Sequence, residues 1–169
     1  MRITLLAALA LFALPAQAQV AFSPIVGFDL EAEGPMIGLA FEVGAPLEGV
    51  PLRPAIRPLV EYIFADDGPG LGDVDGFDLS IIRAQVDLIA RFETSPGSTF
   101  LPYAKAGAGI EYISVSFDDD LGLGDDFDSS DTEFAVNIGG GAEFSRFFVE
   151  GGLGLTGIEG IRVRGGYRF

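Results

Sequence analysis

The chain has 169 residues, of which 49% are hydrophobic and 24 are glycine, and its formal net charge is −15. It contains no cysteine, so it has no disulfide bonds. Its 25 acidic residues against 10 basic ones argue against nucleic acid as a partner, because both molecules carry negative charge. The many glycines argue against a mainly helical fold.

The first 18 residues have the features of a secretory signal peptide. Arg2 supplies a positive charge, residues 3–14 form an apolar run, and Ala16, Gln17 and Ala18 form a small-x-small cleavage site. The apolar run is shorter than the roughly 20 residues that a membrane-spanning helix needs. We therefore predict a signal peptide over residues 1–18 and one domain over residues 19–169, with an uncleaved anchor as the alternative.

Eight segments of the remaining chain alternate between apolar and polar residues, as β-strands with one apolar face do. The predicted strands are residues 20–30, 36–43, 55–64, 78–93, 100–115, 132–144, 147–156 and 160–169. Their lengths are near the roughly 9–11 residues with which a tilted strand crosses a bilayer. The two longest connections on one side are predicted at 65–77 and 116–131, and the connections on the other side are 44–54, 94–99 and 145–146.

The eighth predicted strand runs to the last residue. Its apolar face carries Ile161, Val163, Tyr167 and Phe169, and Arg162, Arg164 and Arg168 lie between them. With the signal peptide and the eight alternating segments, this strand resembles those of small bacterial outer-membrane β-barrel proteins of the OmpA-transmembrane-domain, OmpX, OmpW and opacity-protein type.

The resemblance implies an all-β fold, an eight-stranded antiparallel transmembrane up-and-down β-barrel in the outer membrane of a Gram-negative bacterium. It also implies that the barrel-assembly machinery reads the apolar face of the last strand as an assembly signal. The outer wall would then contact outer-membrane lipid and lipopolysaccharide.

Alternation alone also fits a soluble barrel with an apolar interior, and the polar face decides between the two. That face carries many glycines, which a narrow lumen needs opposite long side chains but a solvated outer face does not favour. We therefore place the polar face inside. The predicted lumen charge network comprises Arg57, Glu61, Arg83, Asp87, Arg91, Lys105, Glu111, Glu143, Glu150, Arg162, Arg164 and Arg168, with Asp29 and Glu42 on the same face. These are seven charges of each sign, which permits pairing in a structural plug; an ion path or gate is the alternative.

The excess negative charge lies in and beside the two long predicted loops. Oxygen-rich clusters suit Ca²⁺ or Mg²⁺, so these loops are candidates for weak binding of a divalent ion, and no other cofactor is predicted. The candidate ligands are Asp73, Asp75, Asp78, Asp118, Asp120, Asp126 and Asp128. The alternatives are solvated loops without a ligand, or a surface that attracts a basic partner of unknown identity.

No catalytic constellation is apparent. The chain has no histidine, so a Ser-His dyad or triad is not available, and we predict that the protein is not an enzyme. The predicted function is a non-enzymatic outer-membrane barrel with a charge-plugged lumen and acidic extracellular loops, serving envelope structure or surface recognition. The alternative is a narrow channel for small or apolar molecules, as in OmpW-type barrels, which a lateral opening near Pro24 or Pro58 would favour.

Overall fold

A computed structural model describes residues 19–44, 50–65, 77–95, 97–117 and 127–169. The strands are β1 (Gln19–Asp29), β2 (Gly34–Gly44), β3 (Leu52–Ala65), β4 (Phe77–Phe92), β5 (Phe100–Phe117), β6 (Phe127–Phe144), β7 (Phe147–Thr156) and β8 (Gly160–Tyr167). Each strand pairs antiparallel with the next, and β1 pairs with β8, so the sheet closes into an eight-stranded barrel. The predicted fold class is confirmed. Within the described ranges, no helix is long and apolar enough to cross a membrane.

Alternate residues along each strand face the barrel interior and the outer wall. On β2, Met36, Ala40 and Glu42 are buried in the barrel, whereas Ile37 and Leu39 are exposed on its wall. The same alternation on every strand covers the outer wall with large apolar side chains. A soluble monomer rarely exposes such a continuous apolar surface, but a barrel in a lipid bilayer requires one.

Aromatic side chains mark both ends of the outer wall. We call the end with Gln19 and Tyr167 the lower rim and the end with Asp29 and Gly160 the upper rim. At the lower rim, the ring pairs Phe22–Phe41, Phe147–Tyr167 and Tyr167–Phe169 have centroids 5.2, 4.9 and 4.7 Å apart. Tyr62 and Phe64 form a similar pair nearer the upper rim, at 4.6 Å. Aromatic rings in two bands are typical of the two interfaces of a bilayer.

Five strand ends differ from the sequence prediction by two residues or more. β6 begins at Phe127 rather than at residue 132, β5 continues to Phe117, β3 begins at Leu52, and β2 begins at Gly34. β8 ends at Tyr167 rather than at the last residue, although the Phe169 N–H still donates to the Phe22 carbonyl of β1. Residues 127–131 are mostly polar and do not alternate, so their pattern gave no strand signal. They are strand because the β5–β6 ladder continues above the upper rim to the pair Phe117 and Phe127, and main-chain hydrogen bonds stabilise the paired strands there.

Candidate functional site

The interior of the barrel is an ionic core of seven basic and seven acidic side chains. Each of these side chains forms at least one ion pair with a partner in the core, and all except the half-buried Arg168 are buried. The members are Arg57, Arg83, Arg91, Lys105, Arg162, Arg164 and Arg168, with Asp29, Glu42, Glu61, Asp87, Glu111, Glu143 and Glu150. The structure thus brings every residue of the predicted lumen network to one interior.

Strand register builds the upper part of the core. Arg83 on β4 lies opposite Glu61 on β3 and opposite Glu111 on β5, so one guanidinium stands between two carboxylates. Its Nη1 is 3.4 Å from Glu61, and its Nη2 is 3.4 Å from Asp29 across the lumen. Arg162 on β8 lies opposite Asp29 and donates to it at 2.9 Å. Opposite charges placed directly across a strand pair stabilise the pairing as well as each other.

Glu150 is the centre of the middle part. Its carboxylate accepts hydrogen bonds from Arg57 at 2.6 Å and from Lys105 at 2.6 Å, and Arg164 Nε lies 3.0 Å away. The Tyr103 hydroxyl donates to the same carboxylate at 2.6 Å. These bonds join β3, β5 and β8 to β7 across the interior.

The upper and middle parts form one network. Arg164 pairs with Glu150 in the middle and also donates to Glu61 in the upper part, at 2.6 Å. Five basic groups and five acidic groups are connected in this way, so the network has no net charge. Charge neutrality matters because an unpaired charge in a region of low dielectric constant is costly.

The lower part is a separate neutral cluster. Arg91 pairs with Glu42 and, at 2.6 Å, with Glu143, and Arg168 also pairs with Glu143. Two small clusters of buried side chains pack beside these ions. One comprises Ile25, Ala40, Leu59 and Phe148, and the other comprises Ala55, Ile89 and Tyr103. Arg57 stacks over the Phe148 ring at 5.4 Å, which joins the first cluster to the middle part of the core.

Two short turns fold over the upper mouth. Asp29 accepts hydrogen bonds from the backbone N–H groups of Glu31 and Ala32, each at 3.1 Å. The N–H of Ile158 donates to Glu111 at 2.7 Å, which holds the β7–β8 turn against the core in the same way. Ala32 and Ile158 then pack with Met36, Ile63 and Ile81, an apolar cap above the ions.

Inward-facing glycines make room for the long side chains. A Cβ added to Gly107 would stand 2.1 Å from an Asp87 oxygen, and one added to Gly141 would stand 2.8 Å from the Tyr103 ring. These strand glycines are therefore packing residues of the core. Neither opens a phosphate-binding loop before a helix.

Sequence reasoning missed several polar members of the interior. Tyr103, Gln85 and Asn137 are buried beside the charges, and Gln85 accepts a hydrogen bond from Asn137 at 3.1 Å. Their parity on β4, β5 and β6 matches that of the charged residues, which is the signal that would have found them. Among the described residues, Arg57 Nε and Asn137 Oδ1 are buried without a hydrogen-bond partner.

The other predicted sites are placed as follows. Ile161, Val163 and Phe169 are exposed on the outer wall, and Tyr167 is half-buried beside Phe169. Of the candidate metal ligands, Asp73, Asp75, Asp118, Asp120 and Asp126 lie outside the described residues. Asp78 on β4 and Asp128 on β6 lie in register with Ser116 from its two sides. The described ranges hold no group of three side chains arranged to ligate a metal.

The two prolines where an opening would favour a channel are each fully paired on one side. Pro24 pairs with Leu39 on β2, and on the other side of β1, where the pairs with β8 begin at Ile25, the Phe169 N–H donates to the Phe22 carbonyl at 2.9 Å. Pro58 pairs with Val86 in an unbroken β3–β4 ladder, whereas the β2–β3 ladder has no pair between Ala40–Leu59 and Val43–Ile56. An apolar surface pocket lined by Leu39, Phe41, Pro58 and Val60 adjoins this interruption.

No family model matches this chain, and no curated protein matches its sequence. Among solved structures, the attachment invasion locus protein Ail of Yersinia pestis, in complex with the heparin analogue sucrose octasulfate, is similar with a TM-score of 0.51 and 11% identity, over 90% of this chain and 96% of that chain. A major outer membrane protein from Thermus thermophilus has a TM-score of 0.49 and 17% identity, over 89% of this chain and 100% of that chain. The N-terminal β-barrel domain of Pseudomonas aeruginosa OprF has a TM-score of 0.45 and 17% identity, over 90% and 98%. The chain has the fold of the small outer-membrane β-barrels, and at these identities the likeness concerns the fold alone.

Proposed function

We propose that this protein is a non-enzymatic integral barrel of a bacterial outer membrane, whose lumen is closed by its ionic core. The observation that carries the proposal is the pairing of all fourteen core charges with one another across the interior. An eight-stranded barrel is only wide enough for its own side chains or one small ligand. Because side chains bridge opposite walls at three depths, solutes have no continuous path.

The protein would then act through its surfaces, as a structural component of the envelope or in recognition. The apolar wall between the aromatic bands fits outer-membrane lipid and lipopolysaccharide as its surroundings, and β8 fits an assembly signal for the barrel-assembly machinery. The upper rim would face outside. Its exposed charges are all acidic in the described residues, namely Glu31, Glu33, Asp131, Glu133 and Glu159. This rim suits a basic partner or a divalent ion, and does not suit a polyanion such as the sucrose octasulfate bound to Ail.

A liposome-swelling assay tests this proposal. Proteoliposomes that contain the refolded barrel are diluted into an isotonic solution of a small sugar, with a large porin as the positive control. We expect the barrel liposomes to swell no faster than protein-free ones. Swelling at a porin-like rate would support a channel instead.

A further inference from the structure

Among the described residues, the exposed charged side chains of the two rims differ in sign. Those of the upper rim are all carboxylates, whereas those of the lower rim are Arg53 and Arg146, with the half-buried Glu93 paired to Arg53. Of all the basic residues in the range 19–169, seven belong to the ionic core, and Arg53 forms an ion pair with Glu93. Arg146 alone has no carboxylate within ion-pair distance among the described residues.

The position of Arg146 is held by backbone bonds. It lies in the tight turn between β6 and β7, after Ser145, which has a positive φ of 60°. The Ser145 N–H donates to the Thr99 carbonyl at 2.9 Å, and the Arg168 N–H donates to the Arg146 carbonyl at 2.7 Å. These bonds fix the backbone of Arg146 at the lower rim.

A hydroxyl and two aromatic rings adjoin this guanidinium. Arg146 Nη1 donates to the Tyr167 hydroxyl oxygen at 3.4 Å, so the hydroxyl hydrogen remains available to a second acceptor. Tyr167 packs edge-on against Phe147 in the outward aromatic band. Above this ring pair, Gly165 lies opposite Val149 and Gly151 lies opposite Val163. Because glycine has no side chain, the outer surface of the barrel is recessed there.

We propose that Arg146 and Tyr167 bind the phosphate of a glycerophospholipid in the membrane leaflet at the lower rim. An acyl chain of this lipid lies along the recessed outer surface above Phe147. This inference rests on the proposed function, because it needs the barrel in a bilayer. The guanidinium offers several N–H donors to an anionic phosphate, and the phenol adds a neutral one. Aromatic rings at this depth are suited to the glycerol region of a bilayer.

Native mass spectrometry of the maltoside-solubilised barrel tests the site, with palmitoyl-oleoyl-phosphatidylglycerol as the added lipid. The Arg146→Gln change should weaken retention of the first lipid roughly tenfold, the loss expected for charge-assisted hydrogen bonds. Tyr167→Phe should weaken it by a smaller factor. Arg53→Gln is the matched control and should leave it unchanged, because Glu93 already occupies that guanidinium.

Dioleoylglycerol, which has no phosphate, should bind far less well to the unaltered barrel. Equal retention of dioleoylglycerol, or unchanged phospholipid retention by R146Q, would overturn the proposed site. An equal loss in R53Q would overturn it as well, because any rim charge would then suffice. Heat-modifiable gel migration and insertion into vesicles are measured first for each variant. A protein that fails to insert contradicts the proposed function, whereas one that inserts normally but fails the lipid test contradicts only this inference.

Discussion

At the scale of single residues, two large and opposing free energies act in the ionic core: the cost of desolvating each charge and the attraction between the paired charges. Glu61, Arg83 and Asp87 are among its fully buried members, and burial removes each of them from water. The desolvation cost of paired charges often cancels their attraction, so the presence of the ionic core does not by itself imply a high free energy of unfolding. Removal of one partner is different, because it leaves the otherwise neutral network with an uncompensated buried charge.

Replacement of Arg83 by Met should therefore be strongly destabilising. The change leaves Asp29 and Glu61 without one of their cations and removes the strand-opposite partner of Glu111. We expect the free energy of unfolding to fall by about 3–5 kcal/mol. Urea titration of the barrel refolded into lipid vesicles measures it.

Arg53→Met is the control for this prediction. Arg53 pairs with Glu93 at the exposed lower rim, where an ion pair contributes about 0–1 kcal/mol. A loss of stability in R83M no larger than that in R53M would contradict a core whose charges depend on one another.

At the scale of the strands, one face is packed and the other is exposed, and glycines test the difference. Gly139 faces inward on β6, and an added Cβ would stand 2.3 Å from the Gly151 carbonyl oxygen. Gly151 faces outward on β7, and the nearest atom to its added Cβ is the Arg162 carbonyl oxygen at 3.9 Å. Neighbouring positions of the same sheet thus differ in whether a methyl group fits.

Gly139→Ala should reduce the free energy of unfolding by about 1–3 kcal/mol, because backbone atoms must move to admit the methyl group. Gly151→Ala should be neutral or raise it by up to about 1 kcal/mol, because alanine narrows the unfolded ensemble without a clash. Unfolding in vesicles is again the measurement. The opposite order of the two variants would show that the assigned faces are wrong.

An arginine on the outer wall tests whether that wall faces lipid. Leu88 lies near the middle of the outward face of β4, and Val50 lies outside the strands; the two side chains are 61% and 50% exposed. Leu88→Arg should cost about 2–4 kcal/mol in a bilayer, and Val50→Arg about 0–1 kcal/mol. If the outer wall faced water, both variants would be equally tolerated.

The alternation of apolar and polar residues was sufficient to predict the strands, the inward face and the charges on it. It was not sufficient for strand ends outside the bilayer, such as residues 127–131, because main-chain pairing there needs no burial. The alternation also does not predict which charged side chains pair with each other. Parity places Arg57 and Glu150 in the same lumen, but their contact crosses the barrel between β3 and β7 and depends on strand order, tilt and stagger together.

At the scale of the whole molecule, ion pairs and apolar side chains together fill the interior. An apolar cap packs over the upper mouth, the connected upper and middle parts of the ionic core lie below it, and the lower cluster of Arg91 and Arg168 with Glu42 and Glu143 lies near the lower rim. The connected upper and middle network, taken as a whole, and the lower cluster are each neutral. To cross this interior, a hydrated ion would have to break ion pairs and also displace the apolar side chains packed beside them.

Single-channel recording in planar bilayers tests the closed lumen most directly. The refolded barrel is added to a bilayer, and its insertion is verified independently by protease protection and gel migration of the recovered protein. The ionic core predicts that inserted protein carries no stable, large current across a wide range of voltage. A sustained open level of porin-like conductance from the unaltered protein would contradict the closed lumen and, with it, the proposed function.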